Sequence, residues 1–248
     1  MLVVENVETY GFEAAIRGMR NPMNSWDLSD SKWIDTPDGP FYLIGPNDEK
    51  LMRRLAKAGN DHRKYLRMIT VTMDITAPLY WWKEFDQYKV GTVTNSTSTM
   101  HKIHAKEFEL GDFSYDHLVG YSSHFTRDEE TDRIKQVKVN DDISLAGYIT
   151  NYAPLDILEL LIIPSLNKCR ERYIETKDKK YWWQMIQLLP SSYMQKRTVC
   201  LNFEALANMY HARKGHKLNE WEQFRINIDT RIPYADIFTD LGRRKREK

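Results

Sequence analysis

The sequence predicts an α+β protein, with strands and helices in its N-terminal half and mostly helices in its C-terminal half. Residues 68–76 alternate apolar and polar side chains, which is the pattern of a strand with one buried face. From about residue 155 onward, apolar residues instead recur at the spacing of helices. A chain of 248 residues can bury a substantial core, and we predict a single domain over residues 1–248.

We expect the chain to begin with a strand over residues 2–10, followed by a short helical segment over residues 11–20. Residues 21–40 are rich in Asn, Ser, Asp and Pro around embedded tryptophans, which predicts an ordered loop. A helix over residues 47–58 follows, because a polar N-cap candidate precedes an apolar stripe and Gly59 comes directly after it.

The alternating segment is the clearest strand, with its threonines and Asp74 on the polar side. Pro78 suits the first turn of a helix, so we expect a helix over Leu79–Tyr88. Beyond Lys89 the chain is crowded with small hydroxyl and amide side chains, which predicts a polar loop up to His101. The apolar side of the strand comprises Ile69, Val71, Met73 and Ile75.

The second half opens with a polar stretch, residues 107–140, in which the alternating charges of Asp128–Lys138 predict a solvated excursion. Apolar periodicity after this stretch predicts four helices. They span about residues 155–175, 179–189, 200–214 and 218–231, the last of them ending before Pro233.

The composition is that of a soluble globular protein, and its charges nearly balance. Thirty-six Lys and Arg face 35 Asp and Glu, a formal net charge of +1, so no field that would capture nucleic acid is expected. The basic tail, residues 242–248, fits a solvated segment. The longest apolar run ends at Pro164 and is too short to span a bilayer, and no secretory signal is visible. We expect a cytoplasmic protein without membrane or nucleic-acid partners.

The spacing of cysteine and histidine does not indicate a metal centre. Cys169 and Cys200 match no disulfide or zinc pattern, so we expect two buried thiols in a reducing compartment. His101 and His104 would share one face of a helix with Glu107, which is a spacing that metal ligands use. No further ligand accompanies them, and we predict no metal.

Asn202 and Arg213 would lie within about 20° of each other on one helix face, three turns apart. Leu206 and Met209 lie between them on the same stripe. An apolar stripe with an amide and a guanidinium at its ends either faces a ligand cleft or borders the core. Arg213 as a plain surface cation is the alternative that the pattern leaves open.

The segment from Leu188 to Arg213, LLPSSYMQKRTVCLNFEALANMYHAR, resembles the C-terminal region of flavin-dependent thymidylate synthases. That family shows an Arg-x-x-Leu-Pro element and then an Asn-containing helix that ends in Leu-Arg. Leu189-Pro190, Asn202, Asn208 and Arg213 fall at the family's spacing without a gap. The resemblance implies that Asn202 and Asn208 help to hold the flavin. It implies that Arg213 binds the pyrimidine carbonyl of deoxyuridylate and acts there as the catalytic residue.

The N-terminal half resembles the same family. His62 stands at the family's spacing ahead of Ala77-Pro78 and is similar to the family's histidine near the flavin. The family's RHRxxSxNExSxR motif aligns here in two registers that differ by one residue, and Lys89 is the only cation in either register. Asn95 and Ser98 keep the motif's Asn-x-x-Ser spacing. The resemblance implies that Lys89 and Asn95 bind the cofactor and that Ser98 binds the substrate.

Several charged residues of the family pattern are replaced here. The motif's Glu is Ser96, its final Arg is Met100, and the Arg of Arg-x-x-Leu-Pro is Ile186. Each lost charged hydrogen bond to phosphate weakens binding by roughly 1.5–3 kcal/mol. The segment AAIRGMRNPMNS resembles the family's Ala-Arg-x-Ser element, with Arg17 or Arg20 as its cation, and we assign Arg17 to the substrate. Other candidate replacements are Ser25, Lys102, Lys196 and Arg197.

The resemblance implies an enzyme of the flavin-dependent thymidylate synthase type that acts on dUMP by one-carbon transfer and reduction. FAD would be the cofactor, with NADPH and methylenetetrahydrofolate as co-substrates. The family assembles as a homotetramer with active sites at subunit junctions. The alternative is a non-catalytic or altered-substrate homologue that binds nucleotide or flavin without the phosphate-gripping arginines.

Overall fold

A computed structural model describes residues 1–37, 39–120, 125–127, 134–136 and 153–242. Strands and helices are mixed along the chain, and the predicted α+β class is confirmed. None of the described helices is long and apolar enough to cross a membrane. In chain order the elements are β1 (Val3–Tyr10), α1 (Phe12–Arg20), β2 (Lys32–Thr36), β3 (Gly39–Leu43), α2 (Pro46–Lys57), β4 (Thr70–Pro78), α3 (Leu79–Phe85), β5 (Thr92–Ser96), β6 (Phe125–Arg127), β7 (Ile134–Gln136), α4 (Pro154–Asp156), a π-helical segment (Ile157–Ile162), α5 (Ile163–Thr176), α6 (Lys179–Leu188), β8 (Met194–Asn202), α7 (Phe203–Ala212), α8 (Asn219–Arg231) and α9 (Asp236–Thr239).

Contacts group the chain into two compact units. The sheet unit comprises residues 2–76, 81–96 and 196–248, and the helical unit comprises residue 1 with residues 77–80 and 97–195. The single domain over residues 1–248 stays a prediction.

The main sheet has four strands in the order β1-β4-β8-β5. β1 pairs antiparallel with β4, with an irregularity between Glu5 and Glu8, and β5 pairs antiparallel with β8. The predicted alternation in β4 is confirmed, because Val71, Met73 and Ile75 are at most 1% exposed. Strand β4 therefore presents its apolar side to the core, as the sequence pattern requires.

Aromatic side chains fill the core of the sheet unit next to α3. Trp81 and Trp82 are buried, with their ring centroids 4.9 Å apart in an edge-to-face arrangement. Trp81 also contacts Trp221 and Phe224 of α8, at 4.8 and 5.6 Å between centroids. Such pairs add to the free energy gained by burial of the rings, so α3 and α8 are fixed against each other.

Three segments differ from the predictions because strand pairing depends on distant residues. In the expected loop, β2 and β3 form a hairpin whose Trp33 and Tyr42 pair across the strands at 5.1 Å. The expected polar loop after Lys89 contains β5, which is held by its backbone pairing with β8. The helix expected to begin near Cys200 begins at Phe203, because the preceding residues form β8. In a fourth difference, which does not involve strand pairing, helix α3 ends at Phe85 and not at Tyr88 as predicted.

The helical unit is built around α5 and α6. Residues from the segment before β6 also belong to its core cluster. In that segment the N–H of Phe108 donates to Asn167 Oδ1 at 2.8 Å, and Asn167 Nδ2 donates to the C=O of Phe108 at 2.9 Å. Most of the predicted excursion, Asp128–Lys138, and nearly all of the basic tail lie outside the described residues. The buried cluster consists of Ile103, Phe108, Phe113, Leu158, Leu166 and Met185.

Gly11, at the junction of β1 and α1, has a φ of 93°, in the left-handed region that favours glycine. A Cβ atom there would lie 2.2 Å from the backbone oxygen of Met68. We expect Gly11→Ala to lower the free energy of unfolding by about 2 kcal/mol or more, because backbone strain and the clash add. Urea unfolding followed by circular dichroism measures this loss. Gly59→Ala is the control, since Gly59 also has a positive φ (105°) but no atom within 4 Å of its Cβ position. An equal loss of unfolding free energy in the two variants would show that the clash with Met68 does not contribute.

Candidate functional site

Helix α7 begins at Phe203, directly after Asn202, the last residue of β8. The Asn202 side-chain oxygen accepts a hydrogen bond of 2.9 Å from the N–H of Ala205, which is the bond of an N-cap. Gly91 lies against the same side chain, because a Cβ atom on Gly91 would be 2.7 Å from Asn202 Nδ2. The amide of Asn202 is thus fixed at the strand-to-helix junction.

The stripe between Asn202 and Arg213 packs in the core. Leu206 and Met209 are 0 and 1% exposed. The sequence left open whether this stripe faces a ligand cleft or borders the core. In the structure its apolar residues pack in the core, with Asn202 and Arg213 at its two ends.

A different face of α7 lines a cleft of about 880 Å³. Asn208 is exposed there, one turn from His211. Three cations, Arg63, Lys214 and Arg225, line the same cleft. No carboxylate is among the lining residues that the structure describes.

Two of the three cleft cations are held by carboxylates outside the lining. Arg63 pairs with Glu204 at 2.9 Å, and Arg225 pairs with Glu222 at 2.5 Å. Lys214 makes no ion pair within the described part of the chain. The cleft therefore contains two guanidinium groups that are already ion-paired and one ammonium without an ion pair among the described residues, and this ammonium suits an anionic group such as a phosphate.

Tyr210 lines the cleft next to Arg225. The Arg225 guanidinium lies 4.3 Å from the centre of the Tyr210 ring, and Arg225 Nε donates to the Tyr210 carbonyl at 3.0 Å. Burial, together with a hydrogen bond to Asp229, raises the pKa of Tyr210. Its hydroxyl therefore stays neutral and acts as the donor to Asp229 at 2.8 Å.

Arg213 lies outside this cleft. Its Nη1 donates to Glu84 Oε2 at 2.8 Å, and its Nε donates to the Tyr88 hydroxyl at 2.9 Å. The guanidinium also lies 4.6 Å from the centre of the Trp221 ring. Arg213 is thus a positioned group on a second face, next to α3 and α8.

The remaining predicted residues of the sheet unit are separate from each other. His62 is exposed directly before Arg63 of the cleft. Lys89 is exposed in the turn after α3, and Asn95 is exposed on β5 opposite Thr198. All three side chains are therefore on the surface, and His62 is next in sequence to a cleft residue without being among the lining residues.

Arg17 lies elsewhere in the sheet unit, in a cleft of about 670 Å³ whose lining includes Trp33 and Phe41. Arg20, the other candidate cation, is 3% exposed and pairs with Asp48 at 2.6 Å, so it has a structural role. Lys196 and Arg197, two further candidates, are already paired with carboxylates, at 3.1 Å to Glu5 and 2.7 Å to Asp86.

Ser98 belongs to the helical unit. Its Oγ accepts a hydrogen bond of 2.9 Å from the N–H of His101. His104 packs edge-to-face on Tyr173 at 4.9 Å. Among the residues that the structure describes, no three His, Cys, Asp or Glu side chains form a group that could hold a metal ion. Cys169 and Cys200 are free and only partly buried.

Sequence reasoning missed Arg63, His211, Lys214 and Arg225. One signal was available, because Asn208 and His211 are three residues apart, which is one turn along a helix face. Arg63 and Arg225 lie far from α7 in the chain, so no local pattern connects them with Asn208.

The chain has the fold of flavin-dependent thymidylate synthases. It is similar to thymidylate synthase X (ThyX) of Helicobacter pylori in a crystal structure with FAD and dUMP, at 16% identity over 98% of this chain and 100% of that one, with a TM-score of 0.62. A second structure of that enzyme, complexed with FAD and dUMP, is 17% identical over 96% and 98% of the two chains, with a TM-score of 0.59. The UMP/dUMP methylase PolB of Streptomyces cacaoi, bound with 5-Br dUMP, is 16% identical over 93% and 89%, with a TM-score of 0.53. No protein-family model and no curated protein sequence matches the chain.

Proposed function

We propose that this protein binds FAD and a pyrimidine deoxynucleotide, and that it catalyses one-carbon transfer and reduction on dUMP. The cleft beside α7 is the observation that carries this proposal, because Asn208 lies there among three cations. The fold supports it, since the similar H. pylori structures hold FAD and dUMP.

The residues of the cleft fit a flavin dinucleotide. The ring edge of a flavin presents both donors and acceptors, and the amide of Asn208 offers both kinds of partner. The diphosphate is an anion, and Lys214 offers it an ammonium that has no ion pair among the described residues, while Arg63 and Arg225 are each already paired with a carboxylate. A volume of about 880 Å³ lies within the usual range of cofactor sites, roughly 300–1,000 Å³.

Bound FAD would supply the redox chemistry, and the chain would bind and orient its partners. We propose that Arg213 donates to a carbonyl of the pyrimidine and stabilises negative charge that develops there. NADPH and methylenetetrahydrofolate are the proposed co-substrates, in a cytoplasmic homotetramer. The proposed cofactor residues are His62, Lys89, Asn95, Asn202 and Asn208, and the proposed substrate residues are Arg17, Ser98 and Arg213.

A second candidate is a homologue that binds nucleotide or flavin but has lost the thymidylate reaction or acts on another pyrimidine. It is favoured by Met100 and Ile186, which replace two arginines of the family pattern. The pairing of Lys196 and Arg197 with carboxylates also favours it, because paired cations grip phosphate less well.

Tritium release separates the two candidates. The protein is mixed with FAD, NADPH, methylenetetrahydrofolate and dUMP that carries tritium at C5, and the label released to water is counted. The proposed reaction replaces the C5 hydrogen and releases the label. FAD binding without release of label would favour the altered homologue. Absence of FAD binding would contradict the thymidylate reaction, and absence of both FAD and nucleotide binding would contradict both candidates.

We expect Lys214→Ala to weaken FAD binding by about 10- to 100-fold, because one charged hydrogen bond to phosphate contributes roughly 1.5–3 kcal/mol. Asn208→Ala is expected to weaken it by a smaller factor, since Asn208 contributes neutral hydrogen bonds. Fluorescence titration with FAD measures both. Lys57→Ala is the matched control, because Lys57 is exposed at the end of α2. Unchanged affinity in Lys214→Ala would exclude this cleft as the dinucleotide site.

A further inference from the structure

The cleft of about 670 Å³ that contains Arg17, here called the aromatic cleft, is lined by the end of β1, the start of α1 and the β2–β3 hairpin. Three of its aromatic side chains stay exposed, at 53% for Tyr10, 58% for Trp33 and 37% for Phe41. Adjoining exposed apolar side chains mark binding sites. The aromatic cleft shares no described lining residue with the cleft beside α7, so it is a separate candidate site.

Contacts within the chain already hold two of these exposed rings in place. Trp33 Nε1 donates to Glu13 Oε2 at 3.2 Å, and the Trp33 ring meets Tyr42 edge-to-face at 5.1 Å between centroids. The Phe41 ring stacks on Tyr234 at 6.0 Å. Because the rings are ordered before a ligand arrives, a flat ligand that packs on them loses little affinity to the ordering of side chains.

Two opposite charges, Glu13 and Arg17, line the same cleft from α1. They are four residues apart, a spacing at which opposite charges on a helix commonly pair. No ion pair joins them, and Arg17 has no hydrogen-bond or ion-pair partner in the described part of the chain. The cleft therefore offers a carboxylate and a guanidinium separately, one helical turn apart.

The hydroxyl of Tyr42 is the third polar group of the cleft. Tyr42 is 9% exposed, and its hydroxyl has no hydrogen-bond partner among the described residues. Burial raises the pKa of Tyr42, the charge of Glu13 raises it further, and the charge of Arg17 lowers it. Both charges thus lie close enough to act on this hydroxyl, which stays neutral and can donate a hydrogen bond. A nearly buried hydroxyl without a protein partner is a group that a ligand can satisfy.

We propose that the aromatic cleft binds a free aromatic amino acid. The ligand ring packs against Trp33 and Phe41, its ammonium donates to Glu13, and its carboxylate accepts from Arg17. A zwitterion carries both charges next to each other, so it bridges an acid and a base that do not pair with one another. An aromatic anion without the ammonium would leave the Glu13 carboxylate beside it uncompensated. This assignment goes beyond the proposed function and gives Arg17 a ligand other than the pyrimidine nucleotide.

Three related ligands test the assignment by calorimetric titration of the whole protein. L-Tryptophan carries both charges, tryptamine lacks the carboxylate, and indole-3-propionate lacks the ammonium. We expect L-tryptophan to bind at least about tenfold more tightly than either relative, because each relative loses one charged hydrogen bond. Equal affinities for the three ligands, or binding of none of them, would overturn the proposal.

Two variants assign each charge to its residue. Arg17→Gln should weaken binding of L-tryptophan and indole-3-propionate by about 10- to 100-fold and leave tryptamine unchanged. Glu13→Gln should weaken L-tryptophan and tryptamine and leave indole-3-propionate unchanged, while its amide carbonyl can still accept from Trp33. A folding defect would weaken all three ligands alike, so a uniform loss in both variants would overturn the assigned contacts.

Lys32→Gln is the matched control, because Lys32 is an exposed cation of the same hairpin outside the cleft lining. It should change none of the three affinities, and a loss equal to that of Arg17→Gln would overturn the proposal by showing a general charge effect. Competition with dUMP completes the test. Excess dUMP should leave L-tryptophan affinity unchanged, whereas displacement of L-tryptophan by dUMP would overturn the separate ligand and return Arg17 to the nucleotide.

Discussion

Replacing Asp48 by asparagine is expected to lower the free energy of unfolding by about 3–5 kcal/mol, as loss of one partner of a buried ion pair does. Asp48 and Arg20 are 0 and 3% exposed, and Arg20 Nε lies 2.6 Å from Asp48 Oδ1. The other carboxylate oxygen accepts hydrogen bonds from Ser29 and Ser31. A neutral amide in place of this carboxylate would leave the Arg20 charge buried without a counter-charge. Urea unfolding measures the loss.

The pH dependence of stability gives an independent readout. Burial alone would raise the pKa of Asp48, but hydrogen bonds from Ser31, Ser29 and Arg20 outweigh it and lower the pKa below its usual value. A lowered pKa in the folded state gives stability that is present at neutral pH and lost as the pH falls through that folded-state value. The difference between wild type and Asp48→Asn should therefore shrink in acid.

Glu175→Gln is the control for Asp48→Asn, because Glu175 forms an exposed ion pair with Arg172. Exposed pairs contribute about 0–1 kcal/mol. A loss below about 1 kcal/mol in Asp48→Asn, similar to the control, would contradict the structural role assigned to the Arg20–Asp48 pair.

Arg213→Ala is expected to weaken dUMP binding by about 10- to 100-fold, since one charged hydrogen bond to the pyrimidine contributes roughly 1.5–3 kcal/mol. The variant also loses the contacts of Arg213 with Glu84, Tyr88 and Trp221. Calorimetric titration with dUMP should therefore be accompanied by a thermal unfolding curve.

Arg213→Lys distinguishes binding from folding. Lysine keeps the charge but cannot reach Glu84, Tyr88 and a ligand from one rigid fork. We expect it to recover part of the stability and little of the dUMP affinity. Arg231→Ala, at the exposed end of α8, should change neither quantity. Wild-type dUMP affinity in folded Arg213→Ala protein would exclude Arg213 as a substrate ligand.

Much of the fold follows from local patterns in the sequence. The alternation around β4 predicted a buried strand, and the start and stop signals predicted α2. The hairpin β2–β3 and the strand β5 were missed, because their pairing partners are not visible in a local window. Strand β8 was missed for a similar reason, and its last residues were assigned to the helix that follows it.

The candidate site was predictable only where a motif keeps its spacing. Family spacing identified Asn208, and the structure places it in the cationic cleft. It also identified Arg213, but helical periodicity alone could not show that Glu84, 129 residues away, would hold its guanidinium. Arg63 and Arg225 reach the cleft from separate segments, so only the folded chain brings them together.

The visible absorption spectrum of the purified protein tests flavin binding, the central claim, most directly. The protein should be yellow, or should become so on addition of FAD and gel filtration, with a flavin band that shifts when dUMP is added. Lys214→Ala protein should retain much less flavin under the same conditions. A colourless protein that leaves the spectrum of added FAD unchanged would contradict the claim that the cleft beside α7 is a flavin site.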